Sequence, residues 1–209
     1  MTTFKINYRL LIIIFVGLLF PFAIFAQVNN QTCSIIGYSV LTINGISASR
    51  DSAIANKDEL RHKLQSELGG TYNGEPLTVD FLFNPSHANG IGDKLKSIEQ
   101  GLLSDEDIRD TDLLSMLTDA SINIKTQKIL LVPHSQGNFY ANAIRKNLAD
   151  QPGGIPSESI GIFGVASPAS NIYEGGAWLT STTDKVIAGL IGTYSPRGIL
   201  PPNTTINYT

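Results

Sequence analysis

The sequence predicts an α/β fold: a three-layer sandwich in which helices cover both faces of a mostly parallel sheet. Two observations lead to this fold class. Segments with strand character alternate with segments of helical periodicity from Ile35 to Leu190. The strand segments are also nearly continuous apolar runs, such as Lys128–Val132 (KILLV) and Ser159–Ala166 (SIGIFGVA). Continuous apolar strands are typical of parallel sheets that are buried on both faces.

Composition limits the functional classes. The chain has 209 residues, of which 42% are hydrophobic and 16% are charged, and its formal net charge is −3. This length suits one globular domain. Lys and Arg form no cluster, so we expect no nucleic-acid partner. A single cysteine, Cys33, excludes an internal disulfide framework and a multi-cysteine metal site. We expect neither a metal nor an organic cofactor.

The first 26 residues predict a secretory signal peptide. Two basic residues precede the apolar run Leu10–Phe25, the small residue Ala26 ends this run, and the chain becomes polar at once. Cleavage after Ala26 would leave an exported domain over residues 27–209, in the periplasm, on the cell surface or secreted. The alternative is an uncleaved segment that associates the protein with a membrane, although the run is slightly short for a span.

The first half of the domain begins with a strand at Ile35–Ile43, which ends at the turn signal Asn44-Gly45. A helix follows over Asp51–Leu68 and stops at Gly69-Gly70. Its apolar residues recur at helical spacing: Ile54, Leu60, Leu64 and Leu68. The next strand is Thr78–Phe83, ended by an Asn-Pro pair.

The second half repeats the alternation. A mostly helical region runs from Ile91 to about Leu117, with an acidic interruption, and the strand Lys128–Val132 follows it. Gly137–Asp150 is predicted as a helix because Phe139, Tyr140, Ala143, Ile144 and Leu148 form an apolar stripe. The remaining elements are strands at Ser159–Ala166 and Ala177–Ser181, a short helix at Lys185–Leu190, and an irregular tail.

A serine occupies the tight turn between the third predicted strand, Lys128–Val132, and the helix that follows it. The turn is Pro133-His134-Ser135-Gln136-Gly137. A strand–turn–helix geometry presents the hydroxyl of such a serine above the sheet, and the helix N-terminus then faces developing negative charge. Gly137 allows strand and helix to approach, whereas Pro133 stands where the usual pattern has glycine. The alternative is that Ser135 is a helix N-cap.

Two further features lie at predicted strand ends. Asn44-Gly45-Ile46 follows the first strand, where a second oxyanion-hole amide would originate, and its alternative interpretation is a plain turn. Asp184 follows the last predicted strand, so that an acid comes after the serine in the chain order typical of this fold, and its alternative role is a helix N-cap.

These segments together resemble a known family. The sequences NGI, PHSQGN, VASPA and TTDKVI, in their strand and helix contexts, resemble exported bacterial α/β-hydrolases of the esterase and lipase type, over Ile35 to Leu190. The resemblance implies a nucleophile, Ser135, and a triad acid, Asp184. It also implies an oxyanion hole formed by the backbone N–H groups of Gln136 and Ile46, and a small-molecule or lipid acyl substrate.

The family's general base is a histidine that follows the acid, but no histidine follows Asp184 in this sequence. A serine hydroxyl is a poor nucleophile without a base. We therefore expect a C-terminally truncated chain that lacks the triad-histidine segment and is inactive or weak as it stands. Two alternatives remain: an inactive protein, or the use of another histidine. His87 is the best substitute because it follows a predicted strand, whereas His134 and His62 are expected to have structural or solvent-facing roles.

The leading interpretation is thus a secreted serine hydrolase that acts on ester or acyl substrates. An exported binding or interaction protein on an inactive α/β-hydrolase scaffold is the main alternative. An acyl transferase that uses the same serine is a third.

Overall fold

The structure, a computed structural model, describes residues 33–86, 111–190 and 199–205. The predicted signal peptide, His87 and most of the helical region predicted from Ile91 lie outside the described residues.

Strands and helices alternate along the described residues. The strands are β1 (Ser34–Ile43), β2 (Thr71–Tyr72), β3 (Glu75–Leu82), β4 (Thr126–Pro133), β5 (Ile160–Val165) and β6 (Ala177–Leu179). The helices are α1 (Arg50–Leu68), α2 (Thr111–Asn123), α3 (Gly137–Asp150) and α4 (Lys185–Leu190), with 3₁₀ turns at Ser157–Ser159 and Tyr173–Gly175.

The strands form one mixed sheet in the order β2-β3-β1-β4-β5-β6. All neighbouring pairs are parallel except β2 and β3, which form an antiparallel pair. This arrangement confirms the prediction of an α/β fold with a mostly parallel sheet. β1 and β4 pair over most of their length, from Tyr38 opposite Lys128 to Ile43 opposite Pro133.

The main core lies between the sheet and helices α2 and α3. Leu41 of β1, Met116 of α2 and Ile144 of α3 are fully buried members of it. Val40, the neighbour of Leu41, is also buried, and successive strand residues point to opposite faces. Because crossovers between parallel strands are right-handed, the β1–α1–β3 connection places α1 on the face opposite α2 and α3.

Three details differ from the sequence predictions. A short hairpin joins β2 to β3 through Asn73 and Gly74, both at positive φ, and it was not predicted. Helix α2 continues to Asn123, six residues beyond its predicted end. Leu68, predicted on the apolar stripe of α1, is exposed at the last residue of the helix, directly before the Gly69 cap.

Parallel pairing brings several strand ends to one edge of the sheet. Asn44, Asn84, Ser135 and Ala166 come just after the carboxyl ends of β1, β3, β4 and β5. In open parallel sheets this is the edge at which ligands bind. Within the described residues, no helix combines the length and apolarity that crossing a membrane would need.

Candidate active site

The backbone at Ser135 has a left-handed conformation that residues other than glycine rarely adopt. Its φ is +51°. Such a conformation costs roughly 1–3 kcal/mol and persists only where the surroundings enforce it. Here both neighbouring strands do so, because the His134 N–H donates to the carbonyl of Ile43 at 2.9 Å and the Ser135 N–H donates to the carbonyl of Val165 at 3.0 Å.

The Ser135 side chain does not cap helix α3. The capping position is occupied by Gln136, whose side chain makes no cap hydrogen bond. The N–H and the side-chain amide of Asn138 both donate to the backbone carbonyl of Ser135, not to its hydroxyl. Among the described residues the Ser135 Oγ has no hydrogen-bond partner. The N-cap interpretation of Ser135 is therefore wrong.

Two glycines allow the turn after β1 to contact the turn after β4. A Cβ placed on Gly137 would lie 2.9 Å from the Ile43 carbonyl oxygen and 3.0 Å from that of Asn44. A Cβ on Gly45 would lie 3.0 Å from the Ser135 Cβ. Asn44 and Gly45 thus pack directly against the serine turn, Pro133–Gly137.

The two amides expected to form an oxyanion hole are unengaged. Neither the Ile46 N–H nor the Gln136 N–H donates a hydrogen bond to any other described residue. The Gln136 N–H also precedes the first turn of α3, where the helix dipole favours negative charge. An oxyanion hole needs N–H donors that are not already paired within the protein, and these two N–H groups meet that one requirement among the described residues.

A buried network of amide side chains lies beneath these two segments, and the sequence did not predict it. Asn44, Asn84 and Gln136 have exposures of 6%, 0% and 0%. Asn84 Nδ2 donates to Gln136 Oε1 at 2.9 Å, and the Asn84 N–H donates to Asn44 Oδ1 at 2.8 Å. The available signal was an asparagine directly after each of two apolar strands, where parallel pairing brings the ends together.

His134 keeps more than a third of its surface exposed, but its ring lies close to the turn after β1. Packing around the ring partly desolvates it and lowers the pKa of His134, and the negative charge of Asp184 opposes this by raising it. His134 is therefore held toward its neutral form.

Asp184 caps helix α4. Its Oδ1 accepts hydrogen bonds from the N–H groups of Val186 at 3.0 Å and Ile187 at 3.1 Å. The alternative interpretation of Asp184 as a helix N-cap is thus confirmed. The second carboxylate oxygen, Oδ2, makes no hydrogen bond among the described residues, so the cap leaves it available to a further partner.

No described histidine makes a hydrogen bond with Ser135. His62 is exposed on α1, 12 positions after the first residue of that helix, which corresponds to about 18 Å along the helix axis. His134 has its ring beside Gly45. His87 lies outside the described residues. Among those that are described, no group of three His, Cys, Asp or Glu side chains has the geometry of a metal site.

Comparison of the sequence with models of known protein families gives no match, and comparison with curated proteins gives none either.

Proposed function

We propose that this chain carries the catalytic machinery of an exported serine hydrolase that acts on ester or other acyl substrates. In this proposal Ser135 is the nucleophile. The backbone N–H groups of Gln136 and Ile46 form the oxyanion hole, and Asp184 orients the general base.

One observation carries the proposal: Ser135 is held at φ +51° with a hydroxyl that has no hydrogen-bond partner among the described residues. Neither feature helps the fold, because the strain costs free energy and the hydroxyl caps nothing. Strain of this kind at a strand-to-helix turn is characteristic of a nucleophile elbow. The sheet order adds support, because β4, which carries the turn, lies beside β1, which supplies the second amide.

The reaction would begin with attack of Ser135 Oγ on the acyl carbon while the hydroxyl proton passes to the base. The resulting oxyanion would accept hydrogen bonds from the Gln136 and Ile46 amides. Collapse of the tetrahedral intermediate would release the alcohol, which takes the proton from the base. Water, deprotonated by the same base, would then hydrolyse the acyl-enzyme.

The base is a histidine in this scheme, and His87 is the candidate that the sequence offers. Replacement of His87 by Ala is expected to abolish turnover if it fills this role, and to leave turnover unchanged if it does not.

The proposal predicts covalent labelling of Ser135 by a fluorophosphonate probe. Wild-type protein is expected to gain one adduct, located on the peptide that contains Ser135, and Ser135→Ala is expected to lose labelling on the order of 10³-fold or more. Ser66→Ala is the matched control, because Ser66 is an exposed serine whose hydroxyl donates to the Lys63 carbonyl on α1. Equal labelling of the Ser135→Ala variant and the wild type would contradict the proposal.

A second candidate is an exported binding protein on an inactive scaffold of the same kind. It is favoured by one specific observation, namely that no described histidine is hydrogen-bonded to Ser135. Folded wild-type protein that gives no adduct would support this second candidate. Adduct formation that disappears in the Ser135→Ala variant would exclude it.

A further inference from the structure

We infer that Asn44 and Asn84 are positioning residues that hold the two oxyanion-hole amides in their relative orientation. This inference rests on the proposed function, because it assigns a purpose to the same site. Neither side chain would contact the substrate. Asn44 would act on the Ile46 N–H through the Gly45 carbonyl, and Asn84 would act through Asn44 and through the side chain of Gln136.

The first step concerns the peptide unit between Gly45 and Ile46. Asn44 Nδ2 donates to the Gly45 carbonyl oxygen at 3.0 Å. A trans peptide is planar, so its C=O and the following N–H point in opposite directions. A hydrogen bond that fixes the Gly45 carbonyl therefore also fixes the direction of the Ile46 N–H. A flipped peptide would lose this bond and turn the N–H away.

The second step concerns what orients Asn44 itself. The Asn84 N–H donates to Asn44 Oδ1, and Asn44 Nδ2 donates to the Asn84 carbonyl oxygen, both at 2.8 Å. Together with the bond to the Gly45 carbonyl, these bonds place Asn44 Oδ1 opposite one donor and Asn44 Nδ2 opposite two acceptors. Only one orientation of the Asn44 amide satisfies all of them.

The third step connects this unit to the serine turn. Asn84 Nδ2 donates to Gln136 Oε1 at 2.9 Å, and Asn84 Oδ1 accepts from the Ser86 N–H at 3.0 Å. The Asn84 side chain therefore bridges the end of β3 to the residue whose own N–H is the other oxyanion donor. Because both Asn84 and Gln136 are fully buried, water does not compete for these bonds.

The free-energy cost of burying amide side chains favours an orienting role for Asn44 and Asn84 over simple space filling. Buried amides cost free energy unless they are hydrogen-bonded, and apolar side chains of similar size would fill the same space at lower risk. Amides, however, fix direction, and an oxyanion hole loses its value when a donor is misaligned. The network joins the two segments whose N–H groups must converge on one oxygen atom.

The test uses Asn44→Asp, which replaces the Nδ2 donor by an oxygen that faces the carbonyls of Gly45 and Asn84. The fluorophosphonate labelling rate, and kcat on a chromogenic short-chain ester where turnover is measurable, are expected to fall about 10²–10³-fold, the loss typical of one missing oxyanion donor. KM is expected to change by less than about threefold, because the lost interaction belongs to the transition state.

The matched control is Asn123→Asp. Asn123 Nδ2 donates to the Phe81 carbonyl at 3.0 Å, away from the serine turn, so this variant also loses an amide-to-carbonyl bond. Its labelling rate is expected to stay within about twofold of wild type. An equal loss of rate in both variants would overturn the inference, because it would show a general effect of destabilisation. Asn44→Ser, which shortens the donor without adding charge, replaces Asn44→Asp if that variant does not fold.

A readout independent of activity separates this inference from the proposed function. N–H residual dipolar couplings in weakly aligned, ¹⁵N-labelled protein report the direction of the Ile46 N–H. A changed Ile46 coupling in the Asn44 variant, with the couplings of α3 unchanged, is expected. An unchanged Ile46 coupling would overturn the inference even if wild-type protein is labelled. Absence of wild-type labelling would instead reject the proposed function, while the couplings still decide the orientation of the peptide.

Discussion

Ser135 and Gly137 lie in the same turn, and each is a residue that its backbone conformation alone would not select. Ser135 adopts a φ that glycine would tolerate without strain, yet the residue is a serine. Gly137 needs no unusual φ, but a side chain there would collide with the backbone of β1. The proposed role of the Ser135 hydroxyl accounts for a serine in a conformation suited to glycine, and the close approach of two segments accounts for a glycine at an ordinary φ.

We predict that Gly137→Ala destabilises the protein. The new Cβ would lie 2.9 Å from the Ile43 carbonyl oxygen and 3.0 Å from that of Asn44, so α3 must move away from β1. Overpacking of this kind costs about 1–3 kcal/mol. Chemical denaturation should show this loss in the free energy of unfolding, and the labelling rate should fall as well because the serine turn shifts.

The control for this prediction is Gly161→Ala in β5. A Cβ on Gly161 would meet its nearest atom, Leu130 Cδ1, at 3.5 Å, which is an ordinary contact. This variant is expected to match wild type within about 1 kcal/mol. Comparable destabilisation by both substitutions would mean that the approach of the two turns is not the cause.

Helix α4 depends on its cap because it is short. It spans six residues, and Asp184 binds two of its first N–H groups. A helix this short is not stable from its own propensity. Asp184 therefore has a structural role that must be separated from the proposed role as triad acid before either can be assigned.

We predict that Asp184→Ala and Asp184→Asn have different effects. Alanine removes the cap and should cost about 1 kcal/mol of unfolding free energy, whereas asparagine is as good a capping residue as aspartate. Asparagine nevertheless removes the charge that would stabilise a protonated base. Asp184→Asn should thus retain wild-type stability and lower the fluorophosphonate labelling rate by two or more powers of ten. If the Asp184→Asn variant were labelled at the wild-type rate, Asp184 would have only its structural role as the cap of α4.

The β4–α3 unit was predicted closely, and the β2–β3 hairpin was missed. β4 is a mainly apolar run followed by a helix with a clear buried stripe, so local sequence is enough to define both. β2 has two residues, Thr71 and Tyr72, whose pairing depends on a partner strand that a local pattern does not reveal. Helix α2 extends past its predicted end, and the extension packs on the sheet: Ala120 is buried, and Asn123 Nδ2 donates a hydrogen bond to the Phe81 carbonyl.

The sequence predicted that Ser135 and the Asn44-Gly45-Ile46 segment follow strands, but it did not predict the buried amide side chains beneath them. Ser135 and Ile46 follow strands, and the rule for parallel sheets places them at one edge. The burial of Asn44 and Asn84 depends on how the loops pack, and turn chemistry alone indicates surface asparagines at both positions. The contacts of Asn44 and Asn84 with each other and with Gln136 depend on the tertiary arrangement that brings the ends of β1, β3 and β4 together.

At the scale of the whole sheet, polar side chains interact with one another at both ends of the parallel strands. The serine turn and the amide network lie at the carboxyl ends of the strands. Toward the other end, Glu75 accepts a hydrogen bond from the Gly37 N–H and forms an ion pair with Lys128. This pair links β3 to β4 across β1, and the Lys128 ammonium also lies 5.1 Å from the centre of the Tyr38 ring. The two side chains are 27% and 36% exposed, so water screens their attraction.

We predict that this ion pair gives the folded protein a measurable dependence of stability on pH. The hydrogen bonds from Lys128 and from the Gly37 N–H lower the pKa of Glu75 below its ordinary 4.5, and the hydrogen bond with Glu75 raises the pKa of Lys128 above 10.5. The Glu75 contribution is therefore fully present above pH 4.5 and is lost as the pH falls through the lower, folded-state pKa. The Lys128 contribution is present below pH 10.5 and is lost as the pH rises through the higher one.

The measurement is the difference in Tm between wild-type protein and Glu75→Gln across the acidic, neutral and alkaline ranges. Wild-type protein should have the higher Tm at pH values between the pKa of Glu75 and that of Lys128. The difference in Tm should shrink toward acidic and alkaline pH and at high ionic strength. Glu59→Gln is the matched control, because Glu59 is exposed on α1 and forms no ion pair with any described residue. A Tm difference between wild type and Glu75→Gln that stays constant from acid to alkali would show that the pair orders the strands by packing rather than by charge.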